Sequence, residues 1–153
     1  MTTIRETRDP EEMKRWRREV ITHVFGAPPS EALMRANEDY YRRNMGSGHY
    51  ALIAGVDGED AGCGALCFSE ELPSPDNPSG KCAYLMNIYV RETFREHGVG
   101  HEIVRSLVEE ARRRRCGKIY LETTPDGRPV YASMGFEEMK DMMKLTYPYD
   151  AKI

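Results

Sequence analysis

The sequence predicts a single mixed α/β domain, and three features of the chain support that fold class. Residues 82–90 form a short, mostly apolar run rich in β-branched and aromatic side chains, which is typical of a buried strand. From Val99 onward apolar residues recur every three or four positions, the period of a helix that buries one face. Two earlier apolar runs flank Asp57-Gly58, a pair that favours a tight β-hairpin turn. A chain of 153 residues is long enough to bury one core of ordinary size.

The composition argues against several functional classes. The chain is 40% hydrophobic and 31% charged, as globular proteins are. No stretch approaches the roughly 20 apolar residues that cross a bilayer, and Met1-Thr2-Thr3 leads into charged residues rather than a signal-peptide core. The net charge of -3 argues against a general nucleic-acid binder. We therefore expect a cytoplasmic protein without membrane or nucleic-acid partners. A homodimer is compatible with the sequence, which leaves the oligomeric state open.

The N-terminal third predicts one strand and two helices. Residues 3–6 suit a short strand, and Asp9-Pro10 supplies an N-cap followed by a proline at the first helical position. The apolar face of this helix comprises Met13, Trp16, Val20 and Val24. Ser30 caps a second helix that runs to about Met45. Two residue pairs on that helix, Glu38-Asp39 and Tyr40-Tyr41, have two interpretations. Either the acidic pair faces solvent and the tyrosines pack in the core, or the pairs face a ligand. The first interpretation is favoured.

The middle of the chain predicts a hairpin followed by a long loop. Residues 49–56 and 61–68 are the strands on either side of the Asp57-Gly58 turn. Glu70 to Gly80 is too rich in proline for a strand and is the candidate for a mobile lid. Beyond the central helix, which ends in Arg112 to Arg115 with Gly117 as a natural C-cap, we expect three more elements. These are a strand at 118–123, a short helix at 127–134 and a last strand at 138–147.

Cysteine and histidine residues do not predict a metal site. The chain has no Cys-x-x-Cys pair, and free cysteine is among the most buried residue types, so we expect structural thiols at Cys63, Cys67, Cys82 and Cys116. His97 and His101 are four residues apart, as a helical metal pair would be. Because His97 lies in the glycine turn and no third ligand has a suitable spacing, metal binding is not expected.

The junction between the central strand and the central helix has a chemical use. The first turn of a helix leaves backbone N–H groups without intrahelical partners, and the helix dipole adds positive charge there. Gly98 and Gly100 have no Cβ to obstruct an approaching phosphate, and Arg95 can add a cation. The turn can therefore wrap a pyrophosphate in backbone amides. The alternative is a helix start whose glycines serve only a tight turn.

Two motifs in this part of the chain resemble those of one enzyme family. Arg95-x-x-Gly98-x-Gly100, five residues beyond Val90, resembles the acetyl-CoA pyrophosphate loop of the GCN5-related N-acetyltransferase (GNAT) family. Tyr131, followed four residues later by Gly135-Phe136, resembles the second landmark of that family. The resemblance covers residues 4–145, although the first third matches only in pattern.

The resemblance implies a fold, a co-substrate and a set of site residues. The fold is a mixed, mostly antiparallel sheet flanked by helices, in which the strands 81–90 and 118–123 run parallel and splay apart at their C-terminal ends. Acetyl-CoA is the co-substrate, and its pantetheine arm lies in that gap and pairs with the open strand edge. The implied cofactor-binding residues are Ile88, Tyr89, Val90, Arg95, Glu96, His97, Gly98, Val99, Gly100, His101 and Thr124.

The implied reaction is direct acetyl transfer to a primary amine. A neutral amine attacks the thioester carbonyl, a backbone N–H near Ile88 or Tyr89 stabilises the oxyanion, and Tyr131 protonates the departing sulfur. The acceptor is a small molecule or a peptide amine whose identity the sequence does not give. Two other functions stay open: a CoA-binding protein without catalysis, and a dinucleotide-binding domain with Glu122 at the ribose position. Against the second, Ile103 occupies the place of a third glycine.

The chain departs from the family pattern at two places. Many relatives carry an acidic residue where this chain has Met86 and Asn87, so the general base is not identified. The candidates are Glu70, Glu71, Glu122, a chain of water molecules, and an acceptor that arrives neutral. Many relatives have Asn at the position of Thr124, whose hydroxyl reaches less far. Acidic side chains expected near the pocket favour a cationic amine: Glu70, Glu71 and Asp76.

Overall fold

The protein is described by a computed structural model that covers residues 1–147. The chain divides into two compact units, Met1–Glu122 and a smaller one that begins at Thr123, and the expectation of a single domain stays a prediction. In the described part of the chain, no helix is long and apolar enough to cross a membrane. The elements are β1 (Thr2–Thr7), α1 (Pro10–Phe25), α2 (Glu31–Asn44), β2 (His49–Val56), β3 (Glu59–Glu70), β4 (Lys81–Val90), a 3₁₀ turn (Glu92–Phe94), α3 (Val99–Arg113), β5 (Lys118–Leu121) and α4 (Arg128–Ser133).

The larger unit is built on one five-stranded sheet with the strand order β1-β2-β3-β4-β5. The first four strands pair antiparallel in sequence order, whereas β4 and β5 pair parallel. The predicted mixed, mostly antiparallel sheet with one parallel pair is therefore confirmed, but the pair lies at one edge of the described sheet and not in its centre. The parallel ladder begins at Cys82 opposite Lys118 and ends at Leu85 opposite Leu121, so β4 continues alone toward Val90.

Helices cover both faces of this sheet. Met13, Trp16 and Val20 of α1 pack in one buried cluster with Ile53 and Cys63 of the sheet. On the other face α3 buries its apolar stripe of Val99, Ile103, Val104, Leu107 and Ala111, as its spacing predicts. A Cβ at Gly64 would lie 2.5 Å from Cγ2 of Ile103, so this glycine lets α3 approach the backbone of β3.

The capping residues of the first two helices act as the sequence predicts. The Asp9 carboxylate accepts from the Glu11 N–H at 3.0 Å, and the Ser30 hydroxyl accepts from the Leu33 N–H at 3.1 Å. One core prediction is wrong: Val24 is 60% exposed, and Ile21 is buried instead. Val24 lies on the predicted face, but in the last turn, where the exposure of its neighbour Phe25 shows that α1 extends beyond the surface it covers.

The C-terminal elements differ from the sequence prediction in three ways. Strand β5 ends at Leu121, two residues early. Arg115 adopts the left-handed conformation after α3, with φ of 63°, whereas Gly117 is needed because a Cβ there would lie 2.1 Å from Oδ1 of Asn77. Residues 138–147 form no strand, since Met139, Met142 and Met143 do not follow the two-residue period that would place them on one face.

The proline-rich loop is fixed at the start of β4. The side-chain amide of Asn77, which is buried, donates to the Lys81 carbonyl and to Oε1 of Glu71, both at 3.2 Å. Lys118 of β5 lies 3.3 Å from Oε2 of Glu71. The ten residues of β4 span about 30 Å, and they separate this loop from the glycine turn. The expectation that Glu70, Glu71 and Asp76 lie near the pocket is therefore wrong, and the loop is not placed to act as a lid.

Candidate functional site

The glycine turn presents the uncapped N-terminus of α3. Gly98 is the N-cap with φ of 79°, and no side chain caps the helix. The first helical bond runs from the Glu102 N–H to the Gly98 carbonyl at 3.1 Å, so the N–H groups before Glu102 have no intrahelical partner. A Cβ at Gly100 would meet only Cγ2 of Val90, at 3.7 Å. This end of the helix is open, and its amides and dipole suit an anion such as a pyrophosphate.

Each glycine in the turn has a different role. Gly98 has open space around it but takes a positive φ that side chains rarely adopt, so the backbone conformation requires it. Gly100 has an ordinary helical conformation, and its missing side chain keeps the surface of the turn clear. Glu96 also has a positive φ, of 65°. The side chains of Glu96, His97 and His101 are exposed around the turn.

Arg95 does not extend freely from the turn. Its Nε donates to the Val90 carbonyl at 2.9 Å, and its Nη2 lies 3.1 Å from Nε2 of His23. The guanidinium is thus held at the end of β4, beside the amides of the turn, with further N–H donors left for a phosphate. The sequence predicts the cation but not this anchoring, which depends on a contact between α1 and residues far along the chain.

The edge of β4 is open beyond the parallel ladder. The Arg91 N–H donates to the Ala61 carbonyl of β3 at 2.8 Å. Because backbone groups alternate sides along a strand, Tyr89 also faces β3, whereas Ile88 and Val90 face the open edge. The Val90 carbonyl is already bonded to Arg95. Ile88 is therefore better placed than Tyr89 to donate to an oxyanion.

A β-bulge interrupts β4 just before Ile88. The register with β3 shifts between Cys63 and Ala65, and Asn87 takes a left-handed φ of 57°, which Asn tolerates better than most residues. The Cys63 thiol donates to the Asn87 carbonyl at 3.3 Å. Nη1 of Arg17, from α1, donates to Oδ1 of Asn87 at 2.9 Å. The bulge changes the direction of the open edge next to Ile88, and contacts from β3 and from α1 hold it in place.

The face of β4 toward α1 borders a charged cleft. Glu19 accepts two bonds from Arg91, from Nε at 2.9 Å and from Nη2 at 3.0 Å, and these bonds hold the pKa of Glu19 below its usual range. Burial, with a hydrogen bond to Glu19, raises the pKa of Tyr89. The cleft has a volume of about 550 Å³, and its lining residues are Arg15, Arg18, Glu19, Thr22, His23 and Tyr89.

One carboxylate stands where β4 and β5 separate. Glu122 directly follows β5, and its Oε1 accepts from the Tyr84 hydroxyl at 3.0 Å. The Tyr84 ring packs against Tyr120 with centroids 5.0 Å apart. Burial, with the bond to Glu122, raises the pKa of Tyr84 to about 12, so the phenol remains protonated and holds the Glu122 carboxylate in place. Of the acidic residues proposed as the base, this one alone lies at the separation.

The smaller unit carries the second predicted landmark. Tyr131 lies in α4, its ring 5.8 Å from that of Phe136, and its carbonyl accepts from the Phe136 N–H at 3.1 Å. Gly135 has φ of 99°, which allows this return of the chain. Burial raises the pKa of Tyr131 above its ordinary value, so its hydroxyl is protonated at neutral pH.

Thr124 acts as a cap in the same unit. Its hydroxyl oxygen accepts from the Gly127 N–H at 3.3 Å, and its carbonyl accepts from the Arg128 N–H at 3.2 Å. The hydroxyl therefore stabilises the start of α4, and only its own hydrogen is left to donate to a ligand. Gly127 is required at this point because a Cβ would lie 2.5 Å from Oγ1 of Thr123.

The remaining nucleophilic and metal-ligating side chains form no second centre within residues 1–147. The four cysteines are free thiols there, and Cys63 and Cys82 are buried. Across the same residues, no group of three or more His, Cys, Asp or Glu side chains could hold a metal ion. Sequence reasoning missed Arg17, Tyr84 and Asn37, whose Oδ1 accepts from Nε of Arg17 at 3.3 Å. Each gains its role through contacts between elements. Only the position of Arg17 beside Trp16, at the edge of the apolar stripe of α1, signals an inward-facing cation.

Comparisons with known proteins agree with this arrangement. The Acetyltransferase (GNAT) family model matches residues 11–136. Glucosamine 6-phosphate N-acetyltransferase 1 of Oryza sativa subsp. japonica is 30% identical over 132 residues, which cover 84% of this chain and 77% of that protein. Among solved structures, a protein from Clostridium acetobutylicum described as a predicted acetyltransferase, solved with acetyl-CoA, has a TM-score of 0.82 and 23% identity over 95% of this chain and 96% of its own. A GCN5-related N-acetyltransferase from Ralstonia eutropha has a TM-score of 0.73 and 25% identity, covering 95% of this chain and 99% of its own.

These matches cover both predicted landmarks, the glycine turn and Tyr131. They exclude the dinucleotide-binding alternative, and they support acetyl-CoA as the co-substrate. The chain belongs to the acetyltransferase (GNAT) family and is an acetyl-CoA-dependent N-acetyltransferase.

Proposed function

We propose that this N-acetyltransferase acts on the primary amine of a small molecule or peptide, by direct attack on acetyl-CoA bound along β4. The observation that carries the proposal is the open edge at Ile88 and Val90, which leads directly to the uncapped glycine turn. The arm of acetyl-CoA pairs with that edge, and its pyrophosphate binds the turn. The proposal includes a cytoplasmic location and leaves room for a homodimer.

Glu122 is the general base in this proposal. A cationic amine must lose a proton before it attacks, and the departures at Met86 and Asn87 leave no acidic residue on β4 near the bulge. Glu70 and Glu71 lie at the other end of the strand. Glu122 stands where β5 leaves β4, and Tyr84 fixes its carboxylate. It takes the amine proton directly or through one water molecule.

Tyr131 is the general acid. As the tetrahedral intermediate collapses, the bond between the carbonyl carbon and sulfur breaks, and the Tyr131 hydroxyl gives its proton to the departing thiolate. A phenol is protonated at neutral pH at its ordinary pKa, and the upward shift of the Tyr131 pKa by burial does not change this, so the proton is available. The Ile88 N–H stabilises the oxyanion that precedes this step.

Glucosamine 6-phosphate is the first acceptor to test. Relatives from rice and from Trypanosoma brucei brucei bear the name of its N-acetyltransferase. The phosphate of this acceptor also suits the cation of Arg17 beside the β4 bulge.

The experiment measures thiol release from acetyl-CoA with wild type, Tyr131→Phe and Glu122→Gln. Tyr131→Phe lowers kcat by about a hundredfold or more and leaves acetyl-CoA affinity unchanged. Tyr50→Phe is the matched control and keeps full activity, because Tyr50 lies on β2 with its ring beneath the guanidinium of Arg114. Glu122→Gln lowers kcat/KM near pH 7, and the deficit shrinks as the pH approaches the pKa of the amine, because the acceptor then loses its proton unaided.

Two results would contradict the assignment. If Tyr131→Phe retains the kcat of wild type, another group protonates the sulfur. If the deficit of Glu122→Gln is the same at every pH, Glu122 supports the structure rather than accepting the proton.

A further inference from the structure

Arg17 carries a positive charge at the β4 bulge that no carboxylate neutralises within residues 1–147. Its two hydrogen-bond acceptors are neutral amide oxygens: Oδ1 of Asn87 at 2.9 Å from Nη1, and Oδ1 of Asn37 at 3.3 Å from Nε. The side chain is partly buried between α1, α2 and the sheet. A guanidinium in that position usually has a charged partner, because burial disfavours an uncompensated charge.

Neighbouring arginines show the contrast. Arg91 bonds to Glu19 through two nitrogens, Arg5 bonds to Glu12 in the same manner, and Arg42 pairs with Glu38. Three other arginines of α1 and α2 also lack an ion pair within residues 1–147, but each of them is exposed: Arg15, Arg35 and Arg43. Arg17 differs from them because it is partly buried.

The amide oxygens are directed at Arg17 by further contacts. Nδ2 of Asn37 donates to the Leu33 carbonyl at 2.9 Å, which fixes the orientation of the amide and turns its oxygen toward Arg17. Asn87 is held by its left-handed backbone and by the Cys63 thiol on its carbonyl. Both acceptors hold the guanidinium in one place and add no negative charge. Aspartate at either position would keep the shape and remove the net charge.

The charge of Arg17 also acts on buried groups nearby. Burial lowers the pKa of His49 to about 4, and Arg17 adds to that shift. It opposes the upward shift that burial gives the pKa of Tyr41. The charge of Arg17 therefore favours negative charge beside the bulge.

We propose that Arg17 binds an anionic group of the acceptor, a phosphate or a carboxylate, while the amine of the same molecule attacks the thioester carbonyl beside Ile88. The inference rests on the proposed function, since it names the class of acceptor for that site. Arg has five N–H donors, and the bonds to Asn37 and Asn87 use two of them. The Nη1 and Nη2 hydrogens that remain form a fork that fits two oxygens of one anion.

The test compares acceptors that differ only in the anionic group. Thiol release is measured at saturating acetyl-CoA with glucosamine 6-phosphate against glucosamine, and with an amino acid against its amide. Wild type prefers the anionic member of at least one pair by about tenfold or more in kcat/KM, and the pair that shows this identifies phosphate or carboxylate. Arg17→Gln and Asn37→Asp abolish the preference and leave acetyl-CoA affinity unchanged. Arg43→Gln, at an exposed arginine near the end of α2, is the charge control and keeps it.

A binding measurement does not depend on turnover. Inorganic phosphate raises the Tm of wild type and Arg43→Gln more than that of Arg17→Gln or Asn37→Asp. Equal shifts in all four proteins, or equal kcat/KM for both members of each acceptor pair, would overturn the inference and leave the proposed function standing. No thiol release with any amine, together with an Arg17-dependent phosphate shift, would instead overturn the proposed function alone.

Discussion

At the scale of single residues, His49 shows how burial controls a titration. It is 4% exposed, its Nδ1 lies 2.8 Å from the Tyr40 hydroxyl, and its Nε2 has no partner among the described residues. Protonation would place a positive charge inside the core, so burial, with the nearby charge of Arg17, lowers its pKa from 6.5 to about 4. The folded state binds the proton less tightly than the unfolded state does, so acid favours unfolding through this residue.

This difference predicts a pH dependence of the free energy of unfolding. The contribution of His49 is complete above pH 6.5 and is lost as the pH falls toward 4, by up to about 3 kcal/mol. Urea unfolding of wild type and His49→Gln at pH values between 7.5 and 4.5 measures it. The free energy of unfolding should fall less steeply between pH 6.5 and 4.5 in the variant. Because both proteins have the same carboxylates, the difference between the two curves is the contribution of His49. Parallel curves would show that His49 is protonated in the native state at an ordinary pKa.

Single residues also show the limits of prediction from sequence. Gly98, Gly100 and Tyr131 belong to local motifs, in which a few consecutive positions set both the backbone and the chemistry, and they could be predicted. Arg17 and Asn87 are 70 residues apart, and their contact requires the packing of α1 on the sheet. No periodicity in either segment indicates that partner.

At the scale of elements, the strand, turn and helix from β4 to α3 form one continuous unit. Their bounds were predictable because each has a clear local signal: a buried apolar run, two glycines and a stripe of buried residues at helical spacing. The prediction that the acidic residues of the loop before β4 lie near the acceptor pocket is wrong. β3 and β4 are antiparallel, with Glu70 opposite Lys81, so a connection between them must lie where β4 begins.

The placement of that loop leads to a prediction. Glu70→Gln and Glu71→Gln leave kcat/KM and its pH profile unchanged, because both side chains lie a strand length from the glycine turn. Glu71→Gln reduces stability only slightly, since its ion pair with Lys118 is partly exposed and the variant keeps an oxygen for the Asn77 amide. Thiol release with the best acceptor, beside Glu122→Gln as the active-site comparison, is the measurement. A loss of turnover in either loop variant would bring the loop back into the site.

At the scale of the whole molecule, the larger unit follows the sequence prediction more closely than the smaller one does. The order of strands and helices through β5 matches, because hairpin and cap signals are local and agree with one another. The C-terminal residues 138–147 form no strand, since a strand needs a partner edge as well as a suitable composition. Their large apolar side chains, including Met143 at 98% exposure, are not covered within the described chain.

In the proposed function, the glycine turn at the start of α3 binds the pyrophosphate of acetyl-CoA. Calorimetric titration of wild type and Gly100→Glu with acetyl-CoA tests it most directly, with NAD as the ligand control and Ser106→Glu on the same helix as the charge control. Gly100 has room for a side chain, so Gly100→Glu folds and its carboxylate repels the phosphates. We expect wild type and Ser106→Glu to bind acetyl-CoA but not NAD, and Gly100→Glu to lose acetyl-CoA affinity by about tenfold or more. Equal affinity in all three proteins would contradict it.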